Sequence, residues 1–372
     1  MKYYIIAGEA SGDLHGSNLI KALKKEDAQA QVRCWGGDLM QAAGGTLAKH
    51  YKELAFMGFM EVLLNLGTIV QNIRFCKKDI AQFAPDVVIF IDYSGFNLKI
   101  AKWAKKTGFR TNYYISPQVW ASRAGRVEKI KRDIDAMYVI LPFEKAFYRA
   151  RGYNVTFVGH PLIDAIAQQR ETSRDDFVEQ HGLHPEKPII ALLPGSRKQE
   201  VAKMLEGMLS LVPRFPEHQF VIAGAPSLEA DFYRQLTKNA GVRFIDNQTY
   251  SLLGHAQAAL VTSGTATLET ALFMVPQVVC YKAHWLSYQI ARRIITLRFI
   301  SLVNLIMDRE VVKELVQNDF TEENLYRELS KIIHGPERGH MLEAYAALRQ
   351  KLGGTGASNK AAHHIYTSLK GS

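Results

Sequence analysis

The residues able to do chemistry in this chain sit where apolar runs stop. Tyr3–Ala7 breaks into Gly8-Glu9-Ala10-Ser11-Gly12-Asp13, and Val87–Ile91 breaks into Asp92-Tyr93-Ser94-Gly95. Read as strand followed by turn, each puts a carboxylate at the carboxyl end of a strand, the edge where open α/β sheets bind ligands. Glu9 and Asp92 from neighbouring strands would share one pocket. Paired carboxylates flanking a reacting sugar centre are the usual tools of glycosyl chemistry. Each has a plainer reading too. Asp13 or Glu9 would cap the following helix, and Asp92 would open a turn.

The second half repeats the design with opposite charge. Ile189–Leu193 breaks into Pro194-Gly195-Ser196-Arg197. Backbone N–H groups at a helix N-terminus plus a guanidinium suit a diphosphate, although the spacing is not that of a Walker A loop. An ordinary strand–helix turn is the alternative. Further on, Ser263-Gly264-Thr265 again follows a strand and opens a helix, offering a second phosphate contact. Glu269 lies one turn along, placed to accept from ribose hydroxyls or to complete a capping box. A dinucleotide site is disfavoured, because the first loop lacks G-x-G-x-x-G and its Glu9 would repel phosphate.

These loops need two parallel sheets to hold them. Strand-like runs fall at Tyr3–Ala7, Val32–Trp35, Val87–Ile91, Thr111–Ile115, Ala136–Ile140 and Val155–Val158, with helical patterns between. After Gly159-His160-Pro161 the rhythm restarts, with strands at Ile189–Leu193, Gln219–Ala223, Val242–Ile245, Ala258–Val261 and Gln277–Val279. At 372 residues the chain has room for two domains. The expected boundaries are 1–165, 166–352, and a tail of 353–372 in which Gly353-Gly354-Thr355-Gly356 links to a last helix. That helix is expected to cross back to the first domain or to a partner subunit, or else to lie loosely on the surface. His160, at the junction, reads as a hinge or packing residue.

Composition narrows the partners. The content of 47% hydrophobic and 22% charged residues is that of a globular protein. Cys34, Cys76 and Cys280 are too far apart for a disulfide framework or zinc site, and the opening residues enter a strand with no signal-peptide core. A reducing, cytoplasmic setting is expected. The net charge of +10 calls for an anionic partner. No nucleic-acid motif appears, so a membrane surface or phosphorylated substrate is favoured. The stretch Leu54–Ile73 is apolar on more than one face, with Phe59, Val62, Leu63, Leu66 and Val70 in its stripe. Glu61, Asn65, Gln71 and Asn72 spoil it as a span. It reads as an acyl-binding or membrane-surface helix, or as a buried one. Basic clusters at Arg74-Lys77-Lys78, Arg123–Arg132 and Arg292-Arg293-Arg298 fit an anionic membrane, although such runs are usually solvated faces.

At these residues the chain resembles the lipid-A-disaccharide synthase family. The resemblance is carried by Ala7–Asp13, Phe90-Ile91-Asp92 with Phe96-Asn97, and Ser116-Pro117-Gln118-Val119-Trp120-Ala121. It continues through Leu141-Pro142-Phe143-Glu144, Gly159-His160-Pro161, Leu193–Arg197 and Ser263–Ala266, and ends with Ser301–Leu305 and Glu314–Gln317. It implies an α/β chain of GT-B fold: two Rossmann-like, doubly wound domains with a cleft between them. It also implies the reaction, an inverting transfer from UDP-2,3-diacylglucosamine to 2,3-diacylglucosamine 1-phosphate (lipid X) that gives a β-1,6 disaccharide 1-phosphate and UDP. By motif, Glu9 and Asp92 become the base candidates, with Ser11 beside them. Ser196, Arg197, Gly264 and Thr265 hold the diphosphate, and Glu269 holds the ribose. Asn304, Arg309 and Gln317 match further cleft positions. Phe59, Val62, Leu63, Leu66 and Val70 take the acyl or membrane role.

One departure stands out: many members carry a second Asp where this chain reads Tyr93-Ser94-Gly95. The choice of base stays open between Glu9 and Asp92. No metal or other cofactor is expected, because no ligand cluster is visible and Arg197 can balance the diphosphate charge. The expected setting is the cytoplasmic face of the inner membrane, peripherally bound, with a homodimer possible. Two other readings compete: a UDP-sugar epimerase or hydrolase of the same fold, and a non-catalytic lipid or nucleotide binder.

Overall fold

The computed structural model describes residues 1–54, 66–122, 124–169, 172–226, 228–237, 240–283, 288 and 297–371. The chain divides into two compact units. One is Met1–Asp164 together with Leu352–Ser372, and the other is Ala165–Lys351.

The first unit is built on seven parallel strands: β1 (Lys2–Ala7), β2 (Gln31–Gly36), β3 (Thr46–His50), β4 (Val87–Ile91), β5 (Arg110–Tyr114), β6 (Ala136–Val139) and β7 (Thr156–Phe157). Their order is β3-β2-β1-β4-β5-β6-β7. Helices joining parallel strands cover both faces, so the inner strands are apolar along their whole length. Accordingly, Tyr3–Ala7 and Val87–Ile91 are fully buried. The strand order reverses direction between β1 and β4, the topological switch point where such sheets open a crevice.

A polar network lies in this core. Arg33 grips Asp79 with two bonds of 2.7 Å. The Tyr4 hydroxyl donates to Asp79 at 2.6 Å and accepts from the Trp35 indole at 2.8 Å. Removing the carboxylate would leave the Arg33 guanidinium and the Tyr4 hydroxyl proton without their acceptor. Asp79→Ala is expected to cost roughly 3 kcal/mol of unfolding free energy, measured by denaturant titration. A loss below about 1 kcal/mol would mean that water replaces the network.

The terminal helix Ala357–Lys370 packs back on this same unit against the helix Ala10–Glu26. Ala357, Ala361, Ala362 and Ile365 are fully buried, so it is not a loose surface element. Asp164 caps it, its carboxylate accepting from the N–H groups of Gly356 (2.5 Å) and Ala357 (3.0 Å). His160 is buried, its Nδ1 accepting from Leu162 N–H. Its own N–H donates to Leu352 O at 3.0 Å.

The second unit holds six parallel strands: β8 (Ile189–Leu193), β9 (Gln219–Gly224), β10 (Arg243–Asp246), β11 (Ala256–Thr262), β12 (Gln277–Tyr281) and β13 (Lys313–Val316). The order is β10-β9-β8-β11-β12-β13, so its switch point lies between β8 and β11. Two edge strands, β3 and β13, were not expected from sequence, because TLAKH and KELV alternate or mix polarity instead of running apolar.

Of the apolar stretch, Phe59, Val62 and Leu63 lie outside the described residues, as do Arg123, Arg292 and Arg293. The described part begins a helix, Leu66–Phe83, on which Val70 and Phe75 are exposed at 45% and 44%. Among the described residues, no helix is long and apolar enough to cross a membrane.

Candidate active site

Both functional loops of the first unit leave from its switch point. Ala7 pairs with Ile91 across β1 and β4, so Glu9 and Asp92 follow adjacent strand ends. Glu9 stands at the N-cap position of the helix Ala10–Glu26 in extended backbone, but its carboxylate caps nothing and is exposed. Ser11 is exposed in the same first turn. Asp13 is buried and caps a different helix: its carboxylate accepts from Gly37 (2.7 Å), Leu39 (3.1 Å) and Met40 (3.0 Å) N–H groups at the start of Asp38–Ala42. The expectation that Asp13 caps its own helix is thus corrected.

Asp92 is held in an uncommon conformation. Asp92 (φ 42°), Tyr93 (φ 47°) and Ile115 (φ 65°) are all left-handed, and each such residue costs about 1–3 kcal/mol. The neighbours impose it. Asn97 donates to Asp92 O (2.8 Å) and Ile91 O (3.2 Å), and the Tyr113 hydroxyl donates to Asp92 O as well. Asp92 N–H donates to Ile115 O at 3.3 Å. Gly8 completes the fit, since a Cβ there would lie 2.4 Å from the Tyr93 ring. A turn residue free to relax would need none of this.

The electrostatics follow. Burial, and then the Glu9 carboxylate, push the Asp92 carboxyl up to about 6, even though the residue keeps solvent access. The same two causes raise the Tyr93 hydroxyl. A carboxylate poised near neutrality is suited to taking a proton, and two like charges side by side are how proteins produce one. Tyr93, whose ring covers Gly8, is a site residue that sequence reasoning treated only as part of a turn.

In the second unit, Gly195 turns the chain at φ 111° and Arg197 begins the helix Lys198–Leu209, its side chain exposed. The loop already attracts an anion: Glu200 reaches back to accept from Ser196 N–H at 3.1 Å. Glu200 and Arg197 both act on the Tyr281 hydroxyl, which is raised by burial first and then by Glu200, with Arg197 opposing. Beyond β11, the Ser263 hydroxyl donates to Ile300 O at 2.9 Å, while Gly264 and Thr265 stand exposed at the start of Thr265–Leu272. No capping box forms, because the Glu269 carboxylate instead accepts from the Tyr250 hydroxyl at 2.8 Å. Burial raises the Glu269 carboxyl. Glu200 and Tyr250 were missed from sequence, where nothing marks the side chain that reaches back to a loop.

Asn304 and Arg309 each have other neighbours within the second unit. Asn304 is buried, and its amide is committed to its own loop: it donates to Val312 O and Glu314, and accepts from Val311 and Val312 N–H. Arg309 precedes β13 and therefore lies at the amino edge of the sheet, opposite the loops after β8 and β11. It lines a pocket of about 290 Å³ with Lys331, Glu337 and His340. Gln317 does follow the carboxyl end of β13, at φ 54°, accepting from Ala283 N–H at 3.1 Å.

Two Rossmann-like units, each with its polar loops at the switch point, define a GT-B α/β protein. The solved UDP-GlcNAc 2-epimerase from Neisseria meningitidis, bound to UDP-GlcNAc, is similar in fold at a TM-score of 0.68 and 14% identity, with 100% of each chain covered. The model of the lipid-A-disaccharide synthetase family matches residues 3–365. Lipid-A-disaccharide synthases of Syntrophus aciditrophicus and Geobacter metallireducens are 41% and 39% identical over 98% of this chain, covering 97% and 96% of those proteins. The chain belongs to the lipid-A-disaccharide synthetase family, and is a glycosyltransferase that forms the lipid A disaccharide.

Proposed function

We propose that this enzyme transfers the acylated sugar of UDP-2,3-diacylglucosamine to the 6-hydroxyl of 2,3-diacylglucosamine 1-phosphate, with inversion, in one displacement. Asp92 takes the proton of the acceptor hydroxyl as its oxygen attacks the anomeric carbon. The bond from that carbon to the β-phosphate oxygen breaks, and UDP leaves with the electron pair. The observation that carries this reading is the Glu9–Asp92 pair at the β1/β4 switch point, with the Asp92 carboxyl raised by burial and by Glu9. The diphosphate is assigned to Ser196, Arg197, Gly264 and Thr265, where helix N-termini and a guanidinium gather positive potential. Glu200 would yield Ser196 N–H to the phosphate. Glu269, steadied by Tyr250, is assigned to the ribose.

The acyl chains imply work at a lipid surface. Exposed Val70 and Phe75 on a helix that also carries Arg74, Lys77 and Lys78 support peripheral binding to the anionic inner membrane.

The test is turnover of both acylated substrates in mixed micelles, following UDP and disaccharide together. One disaccharide per UDP is expected, undiminished by a chelator. UDP without disaccharide would make the enzyme a hydrolase, and equal turnover of an unacylated UDP-sugar would remove the lipid role.

A further inference from the structure

The loop after β5 is gripped by a residue that the reaction above does not use. Glu144 lies in the first turn of the helix Pro142–Arg149 and is 1% exposed. Its Oε2 accepts from the N–H groups of Leu141 (2.9 Å) and Ile140 (3.3 Å). Its Oε1 accepts from the hydroxyl of Ser116, in the loop after β5 and on the other side of β6 in sequence. All three partners donate, so the ionised carboxylate is the form this site satisfies. Burial works against ionisation and brings the carboxyl up to about 7. The Trp120 indole N–H and the Tyr148 hydroxyl sit close by, both buried and without a hydrogen bond of sound geometry.

A helix cap alone would need only Oε2. The bond from Oε1 to Ser116 ties down the residue next to Ile115, a β-branched residue at φ 65°, a genuine outlier for its type. The Ile115 carbonyl in turn accepts from Asp92 N–H. The path from Glu144 to Asp92 is one side-chain bond, one peptide link and one backbone bond.

We propose that Glu144 is a positioning residue: by holding Ser116 it keeps Ile115 in its left-handed conformation, and so sets where Asp92 presents its carboxylate to the acceptor hydroxyl. The proposal rests on the reading of Asp92 as the base.

The decisive variant is Ser116→Ala, which leaves both cap bonds of Glu144 in place. Turnover is read as kcat at a temperature below the onset of every variant's thermal melting transition, so that any unfolded fraction does not count. Ser116→Ala and Glu144→Gln are each expected to lower it about 10–100-fold, as small misplacements of a reacting group do. KM for the UDP-sugar should stay within twofold. The double variant should be no worse than the more impaired single, since both disturb the same Ser116–Glu144 contact, and Ser116→Thr, which keeps the hydroxyl, should recover most of the rate. Ser116→Ala within twofold of wild type would reduce Glu144 to a helix cap and overturn the inference alone. A wild-type enzyme that makes no disaccharide would overturn the reading beneath it, and this proposal with it.

Discussion

Asp92→Asn is expected to lower kcat by about 10²–10⁴-fold, the usual contribution of a positioned base, with little change in UDP affinity. Asparagine keeps the size and the loop bonds, which run through the main-chain atoms of residue 92, but cannot take a proton. The pH profile carries the sharper test. In the wild type, kcat should fall as pH drops through about 6, where Asp92 becomes protonated. Part of that elevation comes from Glu9, so Glu9→Gln should move the acid limb to lower pH. It should not return to the usual carboxylate range, because burial is the larger cause. An acid limb that stays put in Glu9→Gln would break the electrostatic link between the two. If Glu9→Gln instead abolishes turnover at every pH while Asp92→Asn spares it, the base is Glu9.

The same elevation has a consequence for stability, with the opposite sign to an ordinary salt-bridged carboxylate. A group whose pKa is raised on folding binds its proton more tightly in the native state. Its unfavourable contribution therefore appears as pH rises from the ordinary aspartate range through about 6. Asp92→Asn should stabilise the fold at pH 7, and the gain should vanish below about pH 4, measured by thermal melting at both values. An equal gain at both would point to packing, not charge.

Arg197→Ala is expected to cost about 10²–10³-fold in kcat/KM, the scale seen when one hydrogen-bond donor to a developing anion is removed. Lysine at 197 should recover only part of this, since it lacks the fork that holds two phosphate oxygens at once. Glu200 makes the assay selective. Because its carboxylate lies against Ser196 N–H, Glu200→Gln removes a charge that the diphosphate must displace, and UDP should bind more tightly. Calorimetry with UDP alone measures both. Arg197→Ala with unchanged UDP binding would send the diphosphate elsewhere.

What the residues revealed in advance depended on how each one does its work. The inner strands are apolar because helices cover both faces, so Tyr3–Ala7, Val87–Ile91 and Ile189–Leu193 could be read directly, and with them the polar residues just beyond. The edge strands β3 and β13 pair on one side only and carry Lys49, Lys313 and Glu314, so they lack that signature. Side-chain roles set by distant partners were hidden. Asp13 serves a helix 25 residues on, Asn304 serves the loop before β13, and the carboxylate of Glu269 answers to Tyr250. Motif matching placed Arg309 with the other site residues, yet the direction of β13 puts it at the opposite edge of the sheet. The turn at Asp92 and Tyr93 could be read from the sequence but its left-handed backbone could not, although Gly8, whose missing side chain makes room for the Tyr93 ring, belongs to it.

The first unit is assembled from both ends of the chain, with Asp164 capping a helix that begins at Ala357. On the ribosome this reverses the usual order of completion. The second unit is one continuous stretch, Ala165–Lys351, and has all its strands before Leu352 is made. The first unit has its whole sheet early, but must wait with the face that later receives Ala361, Ala362 and Ile365 uncovered while some 190 residues are added. The unit that carries Glu9 and Asp92 is therefore the one exposed longest to aggregation during synthesis, and the last helix acts as the cover that ends that interval.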